Sequence, residues 1–449
     1  MAKRTQSSPD PSEAFFRAAV WHGPLEPAES ILRAHPEIAS GGIYAASLLG
    51  DDEAVLDCLA KDPEAATRKG GPLGWDPLTY LCFSNYLRLD PARTPAFLRA
   101  AVLLLDAGAS ANTGFFENEH HSQPEFECAL YGAAGVAHNA ELTKLLLQHG
   151  ADPNDAEVMY HTPETYDNDA MKALVLTGRM TADSLSSMLL RKHDWHDYEG
   201  AKWLLEHGAD PNQTTRWRRT ALHHAVLRDN ARGMIELVLN HGGDLSLLSE
   251  GRSVVALAAR RGRRDLLELF EARGIRVELE GGDRLIAACA RDQRDTIDSI
   301  RSSAPNAVAD VIRDGAKLLA EFAGNGNTDG VRNLLDLGVD VSGRFTDGDG
   351  YWGLAKESTA LHSAAWRMHH RAVKLLLERG APVDALDANG RTPLSLAVKA
   401  CVDSYWSDGR SPESVEALLA AGASADKVAY PSGYDAVDKL LAQHRSRPV

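Results

Sequence analysis

Cysteine is scarce in this chain. Cys58, Cys82, Cys128, Cys289 and Cys401 are five residues in 449, odd in number and far apart. Neither a disulfide framework nor a CxxC metal pair fits that spacing. Small buried thiols in a reducing compartment are the expectation. Long apolar runs are lacking too: the most apolar stretch, Ala100 to Leu105, is far short of the roughly 20 residues a membrane helix needs. The polar start, Met1 to Ser12, has no apolar core of a secretory signal, so a cytoplasmic protein with no membrane contact is predicted. Positive charge is in deficit, with 48 Lys and Arg against 63 Asp and Glu and a net charge of −15. Phosphate binding depends on clustered cations, so a nucleic-acid partner is not expected, although a local basic patch stays open. The apolar fraction, 44%, excludes wholesale disorder. At about 150 residues per domain the length alone would suggest three globular domains.

An internal repeat replaces that count. The phrase Leu145-Leu-Leu-Gln-His-Gly-Ala-Asp-Pro-Asn154 returns as Leu204-Leu-Glu-His-Gly-Ala-Asp-Pro-Asn212, with weaker copies ending at Asn112, Asp244, Asp384 and Asp426. Its glycines stand at 108, 150, 208, 242, 274, 338, 380 and 422. The intervals of 34 and 32 are single units; the 58 divides at Gly178, the 64 divides near Pro305, and each 42 is one unit with an insertion. A second phrase keeps fixed phase with the first: Thr220-Ala-Leu-His-His-Ala225, Thr359-Ala-Leu-His-Ser-Ala364 and Thr392-Pro-Leu-Ser-Leu-Ala397, with degraded forms at Asp76–Leu81 and Ser253–Ala258.

Elementary chemistry explains each phrase. Threonine is a natural N-cap, and Pro393 sits where a helix tolerates proline best. Leucine and alanine at i, i+3 spacing make a narrow apolar stripe. The leucine run forms a second helix that ends at a glycine free to adopt the left-handed conformation. One such pair cannot bury both its faces, so the units must stack.

A period near 33 residues with these two phrases resembles the ankyrin-repeat family. The resemblance implies an all-α solenoid of helix-turn-helix units with β-hairpin-like finger loops, about 12 repeats plus caps. Residues 1–12 and 445–449 are expected as tails around a single solenoid at 13–444. Within it, 13–72, 155–180 and 281–305 are degenerate units, and 113–127 and 343–358 are inserted fingers. Residues 86–95 and 402–412, the latter with Tyr405 and Trp406, lengthen turns between helices instead. The family usually offers its fingers and first helices to a protein partner. Phe115, Phe116, Arg216, Trp217, Tyr351 and Trp352 are therefore the candidate contacts, since aromatics beside arginine are typical interface anchors. Arg260, Arg261, Arg263 and Arg264 lead a weaker candidate, a basic ridge along the helix–helix turns, although the helix dipole alone favours cations there.

No chemistry rises above this background. His149, His207 and His241 share one repeat phase and read as caps for terminal carbonyls, while His223 and His362 resemble the family's structural histidines. His193-Asp-Trp-His-Asp197 is the best remaining ligand cluster, His120-His121 lies on a finger, and Asp347-Gly-Asp-Gly350 lacks the acidic residue a calcium loop needs twelve along. No metal and no cofactor is expected. The predicted function is a non-catalytic interaction module, a scaffold, adaptor or inhibitor, monomeric and bound to a protein through its concave face and fingers. The competing readings are a metal-dependent hydrolase built around His193 and His196 and a small-ligand sensor in the groove.

Overall fold

A computed structural model describes residues 10–118, 123–275, 278–403 and 410–445. The expectations placed on His120, His121, Tyr405, Trp406 and residues 1–9 and 446–449 lie outside them. The chain divides into two compact units, Met1–Ala221 and Leu222–Val449.

Both units are built from short antiparallel helix pairs. In the first unit Pro77–Cys82 leads to Thr94–Asp106, Ala156–His161 to Asp169–Val175, and Ala182–Asp194 to Tyr198–Glu206. In the second, Val254–Arg260 leads to Arg264–Ala272, Gly315–Gly324 to Thr328–Asp336, Ala360–Trp366 to His370–Glu378, and Pro393–Asp403 to Glu413–Ala420. The degenerate stretch 281–305 is a pair as well, Gly281–Ala290 and Arg294–Ser303, followed by an additional helix, Pro305–Arg313, that leads into Gly315.

The repeated phrases do local work. Each glycine that closes a second helix, from Gly108 to Gly422, has a positive φ, between 66° at Gly178 and 102° at Gly338. After all of them but Gly178, where the Arg179 N–H donates to Thr177 Oγ1 instead, the next residue turns its N–H back to a carbonyl five residues upstream, as in Ala151 to Leu146, Ala209 to Leu204 and Ala423 to Leu418, each at 3.0 Å. That bond satisfies an orphan carbonyl of the helix end. The phase-locked histidines join in: His207 Nδ1 lies 2.7 Å from the Trp203 carbonyl and His241 Nδ1 2.9 Å from that of Leu237.

Bonds between successive units repeat as well. His223 Nε2 meets the carbonyl of Arg252 at 3.1 Å, and His362 Nε2 meets that of Arg391 at the same distance, 29 residues on in both cases. The Thr359 N–H donates to His362 Nδ1 at 3.1 Å, so the proton of this imidazole belongs on Nε2. Burial lowers its pKa and keeps it neutral. At the finger bases Asn112 bonds Gly150 and Asp152, and Asn154 bonds Arg179 and Thr181 in the same way.

Three two-stranded antiparallel ribbons form among the described residues: Gly114–Glu117 with Glu125–Cys128, Leu248–Ser249 with Arg252–Ser253, and Arg344–Phe345 with Ser358–Thr359. The first pairs Phe115 with Glu127 and Phe116 with Phe126. The 86–95 insertion is helical at Asn85–Leu89. It docks on the end of the first helix, with Asn85 Nδ2 donating to the carbonyls of Ala18 and Val20.

Candidate partner-binding surfaces

The finger at 113–127 sorts its two aromatics to opposite sides, because neighbouring residues of a strand point opposite ways. Phe115 is only 9% exposed. It stacks on Trp75 at 4.0 Å and meets Trp21 and Phe83 edge-on, inside a cluster that Tyr80 and Tyr131 extend. This residue holds the finger to its unit. Phe116 is 62% exposed and touches Phe126 at 5.2 Å. Arg216, also exposed, covers Trp217 at 4.7 Å, and Trp217 lies 5.9 Å from Tyr160. Phe116, Arg216 and Trp217 therefore present open surface on the finger side of the first unit.

A group of charged side chains lies beside them. His161 sits between Glu157 at 3.2 Å and Glu164 at 2.9 Å. Burial alone would lower its imidazole, but the two carboxylates overcome that and raise it to about 9. Arg191 pairs with Glu164 and Asp194 and lies 3.9 Å above the Tyr160 ring. Asp155 caps the Ala156–His161 helix through the N–H groups of Glu157 and Val158. Glu127 is the exception. It is 4% exposed, and its Oε2 has no hydrogen-bond partner among the described residues. Burial first, and then the charges of Glu157, Glu125 and Asp155, push its carboxyl up to about 8. Sequence reasoning passed over this residue. The register supplies the missing signal, since Glu127 stands opposite Phe115 and shares its buried side.

In the second unit the expected contacts are engaged by their own chain. Trp352 donates its indole N–H to Asp229 Oδ2 at 3.1 Å and lies 4.0 Å beneath the Arg367 guanidinium. Its carbonyl accepts from Trp366 at 2.6 Å. Leu354, next in the finger, packs with Trp366, Leu396 and Ala400. Tyr351 is half-buried under Arg228 at 4.3 Å. The finger at 343–358 is thus pinned across its own helices.

The four arginines of the predicted basic ridge are all paired with carboxylates. Arg261 is buried, with two bonds to Asp229 and one to Glu321. Arg263 is buried against Asp265 and the Asn230 carbonyl. Arg260 bonds Asp283 at 2.6 Å and Asp314 at 3.3 Å, and Arg264 bonds Glu268 at 2.7 Å. The sequence shows these cations in a row but not the carboxylates that the fold brings to them.

The stretch at 193–197 takes structural duties. His193 is fully buried in its helix. Asp197 binds the buried Lys192 at 2.8 Å and caps Gly200 at 2.9 Å, while His196 occupies the turn with a φ of 52°. Among the described residues no group of three or more His, Cys, Asp or Glu side chains is arranged to hold a metal ion. None of the described helices is long and apolar enough to cross a membrane.

Comparison with known proteins agrees with the architecture. Residues 191–280 and 319–429 match the family model for ankyrin repeats, in three copies. These two stretches are ankyrin repeats, and repeats of this kind are in general protein–protein interaction modules. Among curated proteins it is similar to serine/threonine-protein kinase 12 of Arabidopsis thaliana, 36% identical over 85 residues that make up 19% of this chain and 17% of the kinase. It is also similar to inversin of Danio rerio, 42% identical over 71 residues, 16% of this chain and 6% of inversin. The matched part is thus less than a fifth of either relative's length. Among solved structures it aligns with the ankyrin repeat domain of human ASB11 at 20% identity and a TM-score of 0.26, over 65% of this chain and 99% of that one.

Proposed function

We propose that this protein is a non-catalytic binding module of the scaffold, adaptor or inhibitor kind. In this reading it works in the cytoplasm as a monomer, and it engages a protein partner through the finger side of the Met1–Ala221 unit. The observation that carries the reading is the pair of exposed side chains Phe116 and Arg216, with Trp217 partly exposed beside the guanidinium. Phe116 stands on a finger whose base is tied to the next unit through Asn112, so a rigid scaffold presents an aromatic anchor to solvent, with the Arg216 guanidinium on a later finger.

The hydrolase alternative loses its support in the duties of Asp197 and the burial of His193. The groove-sensor alternative gains little from the described residues. A cavity of about 600 Å³ beside Glu280, Arg284 and Arg291 is open to solvent and lined by a mixture of charged, polar and apolar side chains, whereas small-ligand sites bury most of the ligand's surface.

Affinity capture with the wild-type chain and with a Phe116→Ala, Arg216→Ala, Trp217→Ala variant tests the proposal. Proteins bound by the wild type should be lost from the variant and kept by Leu56→Ala, whose side chain is exposed on the Asp52–Lys61 helix. Equal recovery by the triple variant would move the binding surface elsewhere.

A further inference from the structure

We infer that the Met1–Ala221 unit carries a second docking point on the turns between its helices: the exposed rings of Tyr166 and Trp195 receive an arginine side chain from a basic segment of a partner protein.

Tyr166 lies in the turn between Ala156–His161 and Asp169–Val175, and Trp195 in the turn between Ala182–Asp194 and Tyr198–Glu206, one unit on. The two rings meet edge-on at 6.1 Å, and the Tyr166 hydroxyl donates to the Trp195 carbonyl at 2.8 Å. A buried cation joins the same turns. Lys192 Nζ donates to the Thr165 carbonyl at 2.6 Å and to Asp197 at 2.8 Å, and Asn168 donates to the same carboxylate at 3.1 Å. Taking such an ion pair out of water is costly; here it fixes one turn against the next. The rings held there are not part of the core. Tyr166 is 66% exposed, and Trp195 and Tyr198 are exposed as well. Large aromatics kept open on a rigid base are the usual anchors of a protein interface.

The chain itself shows which group suits rings of this kind. Its own guanidiniums lie over Tyr160 at 3.9 Å, Tyr351 at 4.3 Å, Trp352 at 4.0 Å and Tyr430 at 5.1 Å. Among the described residues no cation lies over Tyr166, Trp195 or Tyr198. Local charge points the same way. Asp167 and Glu199 are exposed, each next in the chain to one of the exposed tyrosines, and neither forms an ion pair among the described residues. The cations of these turns are taken: Arg191 by Glu164 and Asp194, Lys172 by Asp169, and Lys192 by Asp197. A guanidinium stacks on an aromatic face and brings the charge that the two carboxylates lack. An acidic segment would be repelled, and a neutral apolar one would gain nothing from them.

Two synthetic peptides test this on the full chain, one alternating arginine with glycine and one with citrulline, which keeps the shape and removes the charge, in place of every arginine. Nuclear magnetic resonance of chain carrying nitrogen-labelled tryptophan, with the Trp195 indole signal assigned from Trp195→Phe, should show that signal moved by the arginine peptide and not by the citrulline peptide. In calorimetry Trp195→Ala and Tyr166→Ala, which leave the net charge unchanged, should each weaken arginine-peptide binding about fivefold, the worth of one cation–ring contact. Trp195→Phe and Tyr166→Phe keep a ring and should retain most of the affinity, which separates loss of the ring face from damage to the turn; circular dichroism checks the fold of each variant. Phe116→Ala, on the first finger, should bind as the wild type does. Equal binding of the citrulline peptide, or affinity unchanged in both alanine variants, overturns the inference. Weakening by Phe116→Ala in place of Trp195→Ala overturns it too, because the basic segment would then sit on the finger.

Discussion

Asp229 and Arg367, 138 residues apart in the chain, meet in an ion pair of 2.7 Å with side chains 2% and 13% exposed. The same carboxylate accepts from Arg261 and from the Trp352 indole, so four separate turns and loops of the Leu222–Val449 unit converge on one residue. Asn325 and Asn327 reinforce the convergence with bonds to the carbonyls of Arg261, Gly262 and Ala290. Repeat arrays ordinarily draw their stability from nearest neighbours; this knot ties units that are far apart in sequence.

Replacing Asp229 should therefore be costly. Its carboxyl would be raised by burial, but Arg261 and Arg367 overcome that and hold it well below the usual range. Asp229→Asn leaves the Arg367 guanidinium without its anion and Arg261 with Glu321 alone, and a loss of about 3–5 kcal/mol is expected. Urea unfolding followed by circular dichroism should also show a broader transition, because units once linked through the knot would unfold more independently.

Stability of the first unit should fall as pH rises from about 5 towards 8. Glu127 titrates near 8 in the folded chain, above the 4.5 of an ordinary glutamate. Between these values the folded state holds a proton that the unfolded state has released, so raising the pH favours unfolding. The slope approaches about 1.4 kcal/mol per pH unit at most. Glu127→Gln should remove that contribution, as thermal melts across the interval will show.

His362→Ala should lose about 1–2 kcal/mol, since it strands the Arg391 carbonyl and the Thr359 N–H. His223→Ala should cost a similar amount through the carbonyl of Arg252. If either proved neutral in chemical denaturation, the histidines would not be the bonds that hold successive units in register.

Two glycines separate backbone from packing effects. A methyl on Gly208 meets nothing within 4 Å, so Gly208→Ala is charged only for its φ of 97°, about 1 kcal/mol. On Gly50 the methyl would come within 2.4 Å of the Phe97 ring. Gly50→Ala should therefore lower the melting temperature by clearly more than Gly208→Ala.

Which features were legible in advance follows from how local they are. The closing glycines, the threonine caps and the two motif histidines act within one unit or on the next, so a 33-residue period displays them. The finger aromatics were legible as a set but not in their separate fates. Phe115 and Phe116 are adjacent and chemically alike, and only the strand register turns one into the aromatic cluster and the other to solvent. Glu127 reads as a polar finger residue until the same register places it opposite Phe115.

The sequence by itself determined the repeating unit: where helices begin, where they end at glycine, and how each unit is bonded to its neighbour, because those interactions span a few residues or one period. Tertiary structure decided what the charges do. The pairings of Asp229 with Arg367 and of Arg261 with Glu321, and the convergence of carboxylates on Glu127, depend on which turns and strands the stack brings together. A Coulomb interaction acts on distance in space, and distances between units separated by 60 or 138 residues are set only when the chain has folded.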